Sequence, residues 1–79
     1  MIMRITYDKI ADAAYFYLIP TIKKGGVKKT VEASEDVYMD YDENNKLIGV
    51  EVLSASRNLA KKTLSIATRI DRKNSVKKN

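Results

Sequence analysis

From Met1 to Leu53 the signal is β: within most of the strand-like segments apolar and polar side chains alternate with a period of two, a spacing that suits a strand and that a helix cannot use. Met3, Ile5 and Tyr7 alternate with Arg4 and Thr6. The run AYFYLI, residues 14–19, is aromatic and branched like a central strand, and Pro20 ends it. Past the polar loop KKGG, residues 23–26, Val27, Val31 and Ala33 alternate with Lys28, Thr30 and Glu32. Val37, Met39 and Tyr41 share one face of a fourth strand, and Ile48, Val50 and Val52 one face of a fifth. A two-residue turn at Asn44-Asn45 would pair Tyr41 with Ile48, Met39 with Val50 and Val37 with Val52. Every apolar residue then meets an apolar partner. Asn accepts the positive φ that such a turn requires.

The same stretch, DYDENNKLIGVE, places Asp40, Asp42 and Asn44 at alternate positions, with Glu51 eleven residues after Asp40. That is close to the spacing of an EF-hand calcium loop. An EF-hand loop joins two helices, whereas these flanks have period two, and Asn45 stands where the loop needs Gly. The pairing argument favours the hairpin.

After Leu53 the period changes. Ser54 or Ser56 can cap a helix, and Leu59, Ala60, Leu64, Ala67 and Ile70 follow at helical spacings. The predicted fold class is α+β. One small domain, residues 1–72, forms an antiparallel β-meander of about five strands followed by one C-terminal amphipathic helix that covers one face. Residues 73–79 are expected to be a basic, disordered tail. The face away from the helix must be solvated or paired with a second copy.

At 79 residues the core of such a domain is thin, and its stability marginal unless something adds to it. With no Cys there are no disulfides, and with no His as well a structural zinc site has no usual ligands. Oligomerisation is the common route left. Missing His and Cys also remove the ordinary general base, the Ser-His-Asp arrangement and thiol chemistry. No apolar stretch is long enough for a signal peptide or a membrane span, so the expected location is cytoplasmic, with no membrane partner. The net charge of +5 divides unevenly, with −2 over residues 1–53 and +7 over residues 54–79.

TYDKIADAAYFYL followed by DVYMDYDENNKLIGVEVLSAS resembles the YuzE-like family of small proteins of unknown function. Tyr7, Asp8, Asp12, Tyr15, Asp40, Asp42, Gly49 and Glu51 match its pattern. The resemblance covers about residues 3–56, and Asn45 replaces a Gly that relatives carry near the hairpin tip. It implies a small β-rich fold with no established activity. It also implies an antitoxin-like or partner-binding role, since some relatives are thought to be encoded beside small toxin-like proteins.

The candidate residues fall into three sets. In the hairpin register Asp40, Asp42 and Glu51 share the face opposite the apolar one, with open space beside Asp40 where Gly49 faces it, and Asp8 and Asp12 approach from the first turn. Grouped carboxylates can hold Mg²⁺ or Ca²⁺ or raise one another's pKa. The plainer alternative is that Asp8, Asp12 and Asp42 terminate turns and Glu51 accepts a hydrogen bond from a Tyr or Arg, and this alternative is favoured. The tyrosines Tyr7, Tyr15, Tyr17, Tyr38 and Tyr41 could stack nucleobases, but they sit in the acidic half of the chain, so packing at a core edge or an interface is favoured. Arg57, Lys61, Lys62, Arg69, Arg72, Lys73, Lys77 and Lys78 could meet nucleic-acid phosphates, an acidic partner or the acidic half of a second copy. The KKGG loop with Lys28 and Lys29 opens no helix and reads as a hairpin loop.

The reading that follows is a homodimeric, non-enzymatic interaction module with a toxin-like protein partner, no catalytic residues, no cofactor and no metal. Nucleic-acid binding through the basic helix is the rival. A carboxylate-based metal or hydrolytic site ranks third, because no nucleophile–base pair is visible.

Overall fold

The computed structural model describes residues 2–70. The strands are β1 (Arg4–Asp8), β2 (Ala13–Tyr17), β3 (Lys29–Ser34), β4 (Val37–Tyr41), β5 (Leu47–Leu53) and β6 (Thr68–Ile70). Two short helices, α1 (Ala55–Asn58) and α2 (Lys61–Ile66), lie between β5 and β6 in the chain. Among the described residues the six strands form one sheet in the order β3-β4-β5-β2-β1-β6. Neighbours are antiparallel except β1 and β6, which run parallel.

This mixed sheet corrects the expected five-stranded meander, although the α+β class holds. β2 pairs with β5 and not with β3. Partner chemistry explains the order. Ala14 and Phe16 of β2 face Val52 and Val50 of β5, apolar against apolar. β3 is exposed along its whole length and could not have lain inside the sheet. Its lysine-led sequence and the bulge between Glu32 and Ser34 suit an edge strand. Residues 18–28 carry the chain from β2 to that far edge.

The single amphipathic helix is corrected as well. Leu59 and Ala60 are extended (φ −117°, ψ 150° and φ −64°, ψ 147°) and split the segment into α1 and α2. β-branched Thr68 and Ile70 then form β6 and cover the outer edge of β1, which one continuous helix would have left unpaired. Ser54 stands at the N-cap position, but its φ of 49° is left-handed and its side chain makes no capping bond. The tail expected over residues 73–79 lies outside the described residues.

The β4–β5 pairing follows the expected register at Val37–Val52 and Met39–Val50, then slips, so that Tyr41 faces Leu47 and not Ile48. The turn is also longer than two residues. The Asp42 carboxylate accepts the Asn44 and Lys46 N–H groups (2.9 Å each), and Asn45 takes a positive φ of 63°. A type I turn followed by a left-handed residue brings a bulge with it.

One face of the sheet is apolar. Val31, Met39, Val50, Phe16 and Ile5 form a row across five strands. The segment after β5 packs Ala55, Leu59 and Leu64 against Tyr7, Ala14 and Phe16, and α1 also touches β5 and reaches Asp36 of the β3–β4 turn through Arg57 and Asn58. The core is thin. Ala14 and Ala55 are almost wholly buried, but the largest side chain buried to that degree is Asp8.

Candidate functional site

The opposite face is polar and aromatic. Its central row reads Glu32, Tyr38, Glu51, Tyr15, Thr6 and Thr68 from β3 to β6, and the next row reads Thr30, Asp40, Gly49, Tyr17 and Arg4. Tyr15, Asp40, Gly49 and Glu51 are thus brought together as neighbours.

Tyr15 organises the face. Its hydroxyl donates to Asp40 Oδ2 at 2.6 Å, and Thr30 Oγ1 donates to the other carboxylate oxygen at 2.6 Å. To reach Asp40 the ring lies across Gly49, where a Cβ would collide with both the hydroxyl and the ring. The space expected beside Asp40 is therefore filled, and Gly49 is needed for close approach rather than for a special φ. Burial, reinforced by the Asp40 carboxylate, drives the Tyr15 pKa well above its ordinary value. The phenol stays protonated as a fixed donor. Tyr17 meets Tyr15 edge-on with centroids 4.8 Å apart, and the Arg4 guanidinium stacks 4.0 Å from the Tyr17 ring centre. Thr6, Tyr15, Tyr17, Ile22 and Ile70 line a shallow cavity of about 240 Å³ beside the pair.

Tyr7, Asp8 and Asp12 gather elsewhere, at the β1–β2 turn. The Tyr7 hydroxyl donates to Asp12 Oδ1 at 2.7 Å. Asp12 also accepts the Ser56 N–H at 2.9 Å and the Ser56 hydroxyl at 2.8 Å, while its backbone oxygen accepts the Ala55 N–H at 2.9 Å. A carboxylate 44 residues away in sequence therefore caps α1. The Tyr7 bond, then those from Ser56, hold the Asp12 pKa below its ordinary value, and the same bond raises that of Tyr7. Asp8, almost fully buried, accepts the Ala11 N–H at 3.1 Å. Asp42 closes the β4–β5 loop, as described above. Three of the expected carboxylates thus serve turns, and among the described residues no group of three or more Asp or Glu could hold a metal ion.

Two contributors escaped the sequence reading. Thr30 is one. The other is Asp36, in the β3–β4 turn with φ 68°, which accepts Asn58 Nδ2 at 3.2 Å and pairs with Arg57 at 3.3 Å. The polar pair between two strands, Glu35-Asp36, was the available signal. Of the basic residues, Lys61 and Lys62 are exposed at the start of α2, and Arg69 lies exposed on β6 with its guanidinium 5.8 Å from the Tyr7 ring centre. Arg72, Lys73, Lys77 and Lys78 lie outside the described residues. No described helix is long and apolar enough to cross a membrane.

A family model described as "Protein of unknown function (DUF2283)" matches residues 4–56, which run from the first residue of β1 into α1. No curated protein and no solved structure matched the chain.

Proposed function

The chain belongs to that family of unknown function, and from this premise we propose that it is a non-enzymatic protein-interaction module whose partner lies against the polar, tyrosine-bearing face of the sheet. The observation that carries the reading is the state of the rings. Tyr15, Tyr17 and Tyr38 are half-exposed, and Tyr15 and Tyr17 are held in place by Asp40 and Arg4. A ring that is already fixed loses little freedom on binding, and tyrosines are enriched at interfaces for that reason. Within the family we assign the chain to the YuzE-like proteins, on Tyr7, Asp8, Asp12, Tyr15, Asp40, Asp42, Gly49 and Glu51. The finer form of the proposal is antitoxin-like binding of a toxin-like protein in the cytoplasm.

The test is capture from a host lysate, with and without nuclease, at low and high salt. The expected result is a protein that survives nuclease and salt and is lost from Tyr17→Asp and Tyr38→Asp variants of unchanged melting temperature. Capture unaffected by both substitutions would overturn the assignment of this face.

A second reading has its own observation. Residues 54–70 carry Arg57, Lys61, Lys62 and Arg69 with no carboxylate. Phosphate binding through them would weaken steeply with salt, and Lys61→Ala with Lys62→Ala would flatten the salt slope by about two, near one for each phosphate no longer neutralised. Recovery of nucleic acid alone, with that behaviour, would replace the first reading by this one.

A further inference from the structure

If a protein partner lies against the polar face, as proposed above, the charges of that face say what the partner must carry. The strands divide their charges by face. Glu32, Asp40 and Glu51 all stand on the tyrosine-bearing face, exposed or half-exposed. Lys29 and Arg69 stand on the other face, near the rings of Tyr41 and Tyr7, and α2, which bears Lys61 and Lys62, packs Leu64 there. The one strand cation on the tyrosine face, Arg4, is already stacked on Tyr17. Lys28 and Lys46 lie just outside the ends of β3 and β5 and form no ion pair among the described residues.

The centre of this face has an unfilled position. Glu32, Tyr38 and Glu51 are successive members of one row, so the half-exposed Tyr38 ring stands between two carboxylates on neighbouring strands. The carboxylates are two strand spacings, roughly 10 Å, apart, wide enough for one planar cation to lie over the ring and meet either of them. Asp40 is bound by Tyr15 and Thr30. Among the described residues Glu32, Glu51 and the Tyr38 hydroxyl have no hydrogen bond, and neither glutamate has an ion pair.

The neighbouring ring shows how such a position is filled. The Arg4 guanidinium lies 4.0 Å from the centre of the Tyr17 ring. Tyr17 thus has a cation from its own chain, whereas Tyr38, with a carboxylate on each side, has none. A guanidinium suits the place better than an ammonium. Its plane stacks on the ring while its N–H groups reach carboxylates in that plane.

We infer that the Glu32–Tyr38–Glu51 row receives an arginine side chain of a foreign protein, stacked on Tyr38 and paired with the flanking carboxylates. The same carboxylates repel phosphate, so nucleic acid is not the occupant of this face. A pair enclosed on docking is screened less than an exposed one, so salt slows the encounter more than it releases the complex.

The experiment is an amide-resolved NMR titration of the full chain with a short peptide of alternating arginine and glycine, against its lysine and glutamate counterparts. The expected shifts centre on Glu32, Tyr38 and Glu51. The arginine peptide should bind at least about threefold more tightly than the lysine one, the added stacking of a guanidinium, and the glutamate peptide should not bind. Affinity should fall about tenfold in a Glu32→Gln, Glu51→Gln double variant and in Tyr38→Leu. The glutamates have no partner to lose within the described residues, so the double variant should melt as the wild type does. Shifts centred on other carboxylates such as Glu35 and Glu43, equal affinity for the lysine peptide, or unchanged affinity in the double variant would each overturn the inference. Wild-type self-association that the double variant abolishes would also overturn it, by making a second copy the occupant. Lysate capture separates this inference from the reading beneath it. A partner lost from Tyr38→Asp but held by the double variant overturns the arginine alone, and a partner held by Tyr17→Asp, Tyr38→Asp and the double variant overturns both.

Discussion

At the scale of single residues, the polar face depends on one approach distance. The Tyr15 ring occupies the space that any side chain at position 49 would need. Gly49→Ala should therefore push the ring off Asp40 and cost about 1–3 kcal/mol in urea unfolding, as overpacking does. Tyr15→Phe keeps the ring and removes the donor. Asp40 retains its bond from Thr30, so the carboxylate is not left without a donor and the loss should fall at the low end for one bond to a charged acceptor, about 1.5 kcal/mol. Titration offers an independent check at Asp12 and the tyrosines. The folded pKa of Asp12 is lowered, so the folded state binds fewer protons there than the unfolded one. Its contribution is complete above the unfolded value, about 3.9, and is lost as pH falls through the folded value. Tyr7 and Tyr15 are raised, so theirs is complete below about pH 10 and lost as pH climbs further. The Asp12→Asn variant should be destabilised at neutral pH and should converge on the wild type in acid, and both proteins should lose stability above about pH 10.

At the scale of elements, what was legible in the sequence depended on whether the determinant was local. The β4–β5 hairpin was readable because its register is set by alternation on both strands, and Val37–Val52 and Met39–Val50 pair as expected. Its loop was misjudged by one residue because Asp42 hydrogen bonding, not the Asn-Asn pair, fixes the turn. Asn45 bears a left-handed φ of 63°, and Asn45→Gly should stabilise the protein by about 0.5 kcal/mol, the relief of a Cβ in that conformation. The C-terminal half was misread for a non-local reason. Helical spacing was present in residues 59–70, but the vacant outer edge of β1 claims Thr68–Ile70, and Asp12 fixes where α1 begins. Neither determinant is near the segment in sequence. Asp12→Ala should accordingly loosen α1 before the sheet, and hydrogen exchange should show reduced protection at Ser56 N–H while β4 and β5 amides keep theirs.

At the scale of the whole molecule, the shortage of buried apolar volume bears on whether the chain folds alone. A sheet with one apolar face needs a full cover, and ten helical residues in two pieces cover part of it. Were the chain to fold as a monomer only, its melting temperature would not depend on protein concentration. If a second copy completes the core, folding and association are linked, and a hundredfold rise in concentration adds about 2.7 kcal/mol per dimer. For a domain of this size that is several degrees of melting temperature. Wild-type melts compared over a hundredfold concentration range decide between the two: a melting temperature that climbs by several degrees shows that a second copy completes the core, and coincident melts show a chain that folds alone with the thin core its own helices provide.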